Sequence, residues 1–316
     1  RAPFRKGERA PAEKNAMYID THAHLNYPEK YGDLPQLLAK IAAAGVDTVI
    51  NVGWDPASSA LAAEQAERFA ARQAGNTAAA PENTAAQAEH SAAEGLAAET
   101  PTAAPAERLA AAPALYFAAG FHPSNLQGYQ KGDEERLASL LQSPKGVAVG
   151  EIGLDYHYED TDEAAQKRAF CAQLELAEAL SLPVIIHSRD AAADTLRILK
   201  DNRAKLRAGG VMHCFSGSPE TAKEYLKLGL YISFAGPVTF KNARRLDEVA
   251  KIVPPERILA ETDSPYLAPE PFRGTLNTPK NVVQVYEKLA QLRGEELFAL
   301  AARIHENAKT LFYKIR

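Results

Sequence analysis

Short apolar runs alternate along this chain with longer stretches of helical spacing. The runs 17–23, 47–53, 114–120, 146–151, 183–187, 210–214, 229–234 and 257–262 are nearly continuous in apolar residues, as expected of strands buried on both faces of a parallel sheet. Between them, apolar positions recur at three- and four-residue intervals near 34–44, 56–71, 132–142, 162–181, 190–202, 219–228 and 242–251, and two further helical patterns near 279–291 and 294–314 follow the last strand. That spacing places apolar side chains on one face of a helix. Eight strands each followed by a helix is the pattern of an α/β protein of the (β/α)8 TIM-barrel type. The rival, a doubly wound open sheet, lacks its usual mark, because no Gly-x-Gly-x-x-Gly turn follows the first strand.

Two segments break the rhythm. The first 16 residues are polar, with Arg1, Arg5, Lys6, Arg9 and Lys14 and no apolar core. They are read as a disordered extension rather than a signal peptide, with Met17 as the natural start. Residues 72–112 are dominated by Ala, with Thr, Glu and Gln, and their large aliphatics are Leu96 and Leu109. Such a stretch buries too little apolar area to offset its ordering entropy. It is read as a low-complexity insertion in a surface loop, and His90 within it is not expected to act as a ligand. Removing these 16 and 41 residues from 316 leaves 259, close to the ~250 of a typical barrel. The expectation is one barrel domain over 17–316, interrupted by the Ala-rich insertion.

A net charge of −4 and a sequence pI near 6.1 argue against a general nucleic-acid binder without excluding a local phosphate site. Cys171 and Cys214 are far apart and form no Cys-x-x-Cys pattern, which favours a reducing, cytoplasmic setting. Cys214 follows His213 on a strand run, so it is expected to face the other way and pack as a small hydrophobe. No apolar run approaches the ~18 residues of a membrane span, and nothing in the pattern calls for a membrane or an obligate protein partner.

The candidate chemistry sits at the ends of the strands. His22 and His24, two apart on the first strand, face one side together. Glu151, His187, His213 and Asp263 end four later apolar runs, and the C-terminal ends of barrel strands carry function. Four imidazoles and two carboxylates exceed what one tetrahedral ion needs, whereas a pair of divalent ions bridged by a carboxylate uses all six. Glu151 lies midway among the ligand strands and is the natural bridge. Asp263 can bind an ion and also take a proton from the attacking water.

These residues also carry a family resemblance. Asp20-Thr21-His22-Ala23-His24, Gly120-Phe121-His122-Pro123, Gly150-Glu151-Ile152-Gly153-Leu154-Asp155, Ile186-His187-Ser188-Arg189-Asp190, His213-Cys214-Phe215-Ser216-Gly217 and Glu261-Thr262-Asp263-Ser264-Pro265-Tyr266 resemble the TatD family, a branch of the metal-dependent amidohydrolase-like barrels associated with deoxyribonuclease activity. Pro271-Phe272-Arg273-Gly274 and Asn277-Thr278-Pro279 fit as well. The resemblance runs from Met17 onward and departs only at the insertion. It implies His22, His24, Glu151 and Asp263 at one metal, and Glu151, His187 and His213 at the other. Many related barrels bridge their ions with a carboxylated Lys on strand 4, where this chain has Glu151.

Other side chains near the strand ends are assigned with their alternatives open. His122 resembles a family active-site position and is expected to orient substrate or hydrogen-bond a phosphate. Arg189 and Arg273 are candidate phosphate contacts, with a rim salt bridge as the other reading for Arg189. Glu261 and Asp155 are either partners of the ligands or buried structural acids. Lys241, Arg244 and Arg245 form a small basic cluster, ordinarily a solvated face. Trp54, Tyr156 and Phe234 could stack a base or simply pack, and His157 and His305 are read as surface or structural.

The leading function is therefore a deoxyribonuclease with DNA as substrate, attacking a single-stranded or frayed end with water activated between two ions of Mg2+, Mn2+ or Zn2+. The alternatives are a two-metal hydrolase of a small amide, ester or aminoacyl bond, and a non-catalytic scaffold acting through the insertion, against which the intact ligand set argues.

Overall fold

The computed structural model describes residues 17–73, 112–130 and 132–316. The extension 1–16 and nearly all of the 72–112 insertion, His90 included, lie outside the described residues.

The apolar runs form eight strands: β1 (Tyr18–Ala23), β2 (Val46–Val52), β3 (Ala114–Ala119), β4 (Gly146–Asp155), β5 (Val184–Arg189), β6 (Gly210–Met212), β7 (Tyr231–Phe234) and β8 (Ile258–Ala260). They pair in parallel in the order β1 to β8. Every residue of β1, β4, β6, β7 and β8 is buried, because helices cover the outside while side chains fill the inside. The sheet curls until β8 meets β1. Ser264 bridges to Ala23, His24 N–H donates to Ser264 O at 2.8 Å, and Asp263 N–H donates to His22 O at 2.9 Å. Asp20 strengthens this seam, its buried carboxyl group accepting from Thr262 N (3.0 Å) and pairing with Thr262 Oγ1 (2.6 Å). The architecture is that of a (β/α)8 barrel.

The helices are α1 (Pro28–Tyr31), α2 (Leu34–Ala43), α3 (Pro56–Gln73), α4 (Asp133–Leu141), α5 (Glu163–Leu180), α6 (Ala192–Asp201), α7 (Pro219–Lys227), α8 (Arg244–Ile252), α9 (Val282–Arg293) and α10 (Leu297–Leu311). Local chemistry starts several of them. The side chains of Asp33, Asp162 and Ser218 accept from the backbone N–H groups of Gln36, Ala165 and Thr221, each satisfying one donor the first turn leaves open. Their apolar stripes then turn inward: Leu37, Leu38 and Ile41 of α2, and Leu246, Val249 and Ala250 of α8, are buried. Among the described residues no helix is long and apolar enough to cross a membrane.

Several strand ends differ from the expected ones, and three of the differences shape the site. β4 runs on to Asp155, so Glu151 lies inside the strand rather than at its end. The β4–β5 register shifts between Val149 and Ile152, and Glu151 N–H donates sideways to Gly53 O at 3.1 Å. Such an irregularity re-aims a side chain. Just beyond it, Gly153 has φ +139°, and a Cβ there would stand 2.0 Å from His187 O; the close approach of β4 to β5 needs glycine. β8 stops at Ala260, short of the expected 262, so Glu261 to Asp263 leave the regular strand. β6 ends at Met212, which overturns the expectation for Cys214. With φ +40° it no longer alternates with His213, and it lines the same cavity.

Candidate active site

Barrel closure brings His22, His24, Glu151, His187, His213 and Asp263 together at the C-terminal mouth. The arrangement is built around the two oxygens of Glu151. Its Oε1 lies 2.7 Å from His213 Nε2 and 2.8 Å from His187 Nδ1, and those two nitrogens are 3.2 Å apart. Its Oε2 lies 3.3 Å from His22 Nε2 and 3.9 Å from His24 Nε2. The nitrogens of His22 and His24 are 3.3 Å apart, and Asp263 Oδ1 is 3.5 Å from His24 Nε2 and 3.8 Å from His22 Nε2. Donors sharing one ion at bonds of ~2.1 Å stand about 3–3.5 Å from one another; the His22–His24 and His187–His213 nitrogen pairs have that spacing, while the shorter contacts of Glu151 Oε1 are direct hydrogen bonds that a cation would replace.

The protons point the same way. A carbonyl or carboxylate accepts, so a ring nitrogen facing one carries hydrogen. His24 Nδ1 faces Val52 O at 2.8 Å, His187 Nε2 faces Asp155 Oδ2 at 3.3 Å, and His213 Nδ1 faces Glu261 Oε1 at 3.3 Å. Each of these rings is thereby held through its outer nitrogen, with the inner nitrogen turned to the carboxylate of Glu151 or Asp263, where a bound cation would take the lone pair in place of a proton. Glu261 is itself held by Ser233 Oγ (2.6 Å) and Cys214 N. The structure thus gives Glu261 and Asp155 the partner role that the sequence left open.

His122 is built the opposite way. Ser124 N–H donates to its Nδ1 at 3.0 Å, so the proton of the neutral ring sits on Nε2, 3.6 Å from Glu151 Oε1. Burial, the leading influence, pushes this imidazole down to about 3. His122 therefore offers an N–H rather than a lone pair.

Charge in the cluster is strongly coupled. Burial favours the neutral form of Glu151, yet His213, His122 and His22 outweigh it and hold the carboxyl well below its ordinary value. Burial likewise opposes charge on His213, but Glu151 and Glu261 hold that imidazole well above the usual histidine range. A divalent cation would substitute for such protons, which is how metal binding releases them.

The cavity above the cluster has a volume of about 700 Å³. Ser124, Asn125, Asp155, Tyr158 and Arg189 line it on the side of His187 and His122, and Tyr27, Trp54 and Tyr266 line it near His24. Arg189 is thus at the mouth, its guanidinium 5.8 Å over the Tyr158 ring. Arg273 is not among the lining residues; its guanidinium lies 4.2 Å over the Phe240 ring. Lys241, Arg244 and Arg245 are exposed at the start of α8 and also stay outside. Phe234 is buried packing, Tyr156 donates to Asp194, and His157 and His305 pair with Asp190 and Asp47. Sequence reasoning missed Asp20, although its parity with His22 and His24 on β1 was a visible signal. It also missed Tyr27, Ser124, Asn125, Tyr158 and Tyr266, whose loop positions carry no periodicity.

The family model described as TatD related DNase matches residues 19–313. The chain belongs to the TatD family. It is 36% identical over 296 residues to an uncharacterized metal-dependent hydrolase, YabD of Bacillus subtilis, across 94% of this chain and 99% of YabD. It is also 36% identical over 205 residues to the 3'-5' ssDNA/RNA exonuclease TatD of Escherichia fergusonii, across 63% of this chain and 78% of that relative. The crystal structure of YJJV, a TatD homologue from Escherichia coli K12, matches it with a TM-score of 0.76 at 30% identity, covering 94% of this chain and 98% of the other. This TatD-family chain is a metal-dependent hydrolase. The described sets of three ligand-type residues able to share an ion, His22–His213–Glu261, His22–His24–Asp263 and His122–Glu151–His187, all fall in the cluster.

Proposed function

We propose that this chain is a two-metal phosphodiesterase acting on single-stranded or frayed DNA. The observation that carries the reading is the division of Glu151, with Oε1 toward His187 and His213 and Oε2 toward His22 and His24. His22, His24, Asp263 and Glu151 would hold one divalent cation, and Glu151, His187 and His213 the other. Bound there, the ions would neutralise charge on a phosphate oxygen and make water acidic enough to attack near neutral pH.

The protein's own groups supply the rest. Asp263 is held as a carboxylate, since His24, His213 and His22 outweigh the upward push of burial, and it takes the water's proton. His122 Nε2–H donates to a phosphate oxygen, preorganised by the Ser124 bond. Val52 O, Asp155 and Glu261 keep the ligand rings from turning. Arg189 is the one Lys or Arg among the described lining residues, so bound ions would supply most of the positive charge that meets the phosphate.

The concave mouth suits a chain end or single strand rather than the middle of a duplex, and the exonuclease name of the Escherichia fergusonii relative supports nucleic acid as the substrate class. The second reading is hydrolysis of a small ester, amide or aminoacyl bond, favoured by Pro237 and Leu267 at the rim. Metal-reconstituted protein assayed side by side on single-stranded DNA, duplex DNA and a small ester panel separates them. The proposal expects the single strand to be cut fastest; preference for the esters would replace it with the second reading.

A further inference from the structure

We propose that Trp54, with Tyr27 and Tyr266, forms a stacking subsite for the nucleobase adjoining the attacked phosphate. This rests on the phosphodiesterase reading above and names the part of the substrate that the metal ligands cannot recognise. Trp54 follows the end of β2 and stands at the cavity wall. Its ring centroid is 5.3 Å from that of His24, edge on at 76°, and 5.2 Å from that of Tyr27, tilted by 31°. Tyr266 approaches His24 at 6.4 Å and keeps half of its surface exposed, at 50%. Three aromatic rings therefore gather beside His24, while Ser124, Asn125, Asp155 and Arg189, with Tyr158 as the one ring among them, occupy the side toward His187. A nucleotide, polar at its phosphate and flat and apolar at its base, matches that asymmetry.

The wall is also fixed in place. Trp54 N–H donates to Ser58 Oγ at 2.9 Å, and Trp54 O accepts from His122 N–H at 2.9 Å. The backbone that carries the indole is thus tied to the backbone that carries the phosphate-facing His122. Every base has a π-face, so a platform of this kind selects for a ring without reading its sequence.

Trp54 is the only tryptophan of the chain, so its fluorescence reports the subsite without any turnover. Metal-loaded full-length protein is titrated with thymidine 5′-monophosphate and, separately, with deoxyribose 5-phosphate. The proposal expects quenching by the nucleotide and none by the sugar phosphate; equal responses, or none to either, overturn it even if the protein proves not to cut DNA. In the kinetic arm, Trp54→Ala and Trp54→Phe are compared on a deoxytrinucleotide and on the same trinucleotide with one abasic end. Stacking losses on alanine substitution correspond to roughly 5- to 150-fold. Trp54→Ala is expected to reduce the preference in kcat/KM for the intact over the abasic substrate by that factor, and Trp54→Phe to keep most of it. An unchanged preference in a folded Trp54→Ala protein assigns the indole to packing and overturns the proposal. Failure of the wild type to cut either trinucleotide, with nucleotide quenching intact, would remove the phosphodiesterase reading and leave the ring subsite standing.

Discussion

Ser124 N–H donates to His122 Nδ1 at 3.0 Å, and that single bond separates His122 from the other imidazoles of the mouth. His187, although it belongs with His122 to a group able to share an ion, turns its Nε2 to Asp155 and its Nδ1 inward. His122 turns a proton inward instead. His122→Ala is expected to lower kcat/KM on DNA by roughly 10- to 150-fold, the equivalent of one hydrogen bond to a charged group, with metal content unchanged. Loss of an ion, measured by elemental analysis of the same preparation, would make His122 a ligand.

Asp263→Asn tests the proton acceptor. Asn retains a neutral oxygen near His24 and His22 but cannot take a proton. The expected result is a fall in kcat of about 10²–10⁴-fold with little change in KM and both ions retained. A fully metallated variant that keeps more than about a tenth of wild-type turnover would reduce Asp263 to a positioning ligand.

Much of this was legible in the sequence because barrel strands are short, apolar and periodic, and because function gathers at their ends. His22 and His24 share a face by parity alone. What resisted was whatever depends on departures from regular strands. Glu151 sits where the β4–β5 register shifts, which an apolar run cannot reveal, and Cys214 enters the cavity because β6 stops at Met212 and the next turn takes a left-handed conformation. Arg273 has the right charge in the right loop, yet its guanidinium lies over Phe240. Loop side chains obey no period, and which way they turn is decided by neighbours far off in sequence.

Glu261→Gln probes the support beneath His213. Glu261 accepts from Ser233 Oγ and Cys214 N and faces His213 Nδ1, and an amide cannot replace all of these acceptor roles. Metal affinity is expected to weaken by roughly 10- to 100-fold, with activity recovering as metal is raised. Unchanged affinity in a folded variant with reduced activity would give Glu261 a different role.

The Ala-rich insertion joins the fold after α3, which ends at Gln73, and before β3, which starts at Ala114. A helix-to-strand connection of a barrel lies at the end opposite the catalytic mouth. Replacing residues 74–111 with a short Gly/Ser bridge is therefore expected to leave metal-dependent hydrolysis and the unfolding midpoint nearly unchanged. A soluble, folded deletion protein without activity would show that the insertion serves catalysis.

Glu151 is proposed to divide one site between two ions, in a site that cuts DNA. The direct measurement is the cleavage rate of a single-stranded oligonucleotide as Mn2+ is titrated into chelator-stripped protein, with bound metal counted at each step. The expected result is no cleavage without metal, a rise that saturates at two bound equivalents, and loss of both the second equivalent and the activity in Glu151→Gln. Full cleavage at one equivalent, or cleavage that persists under chelation, would contradict it.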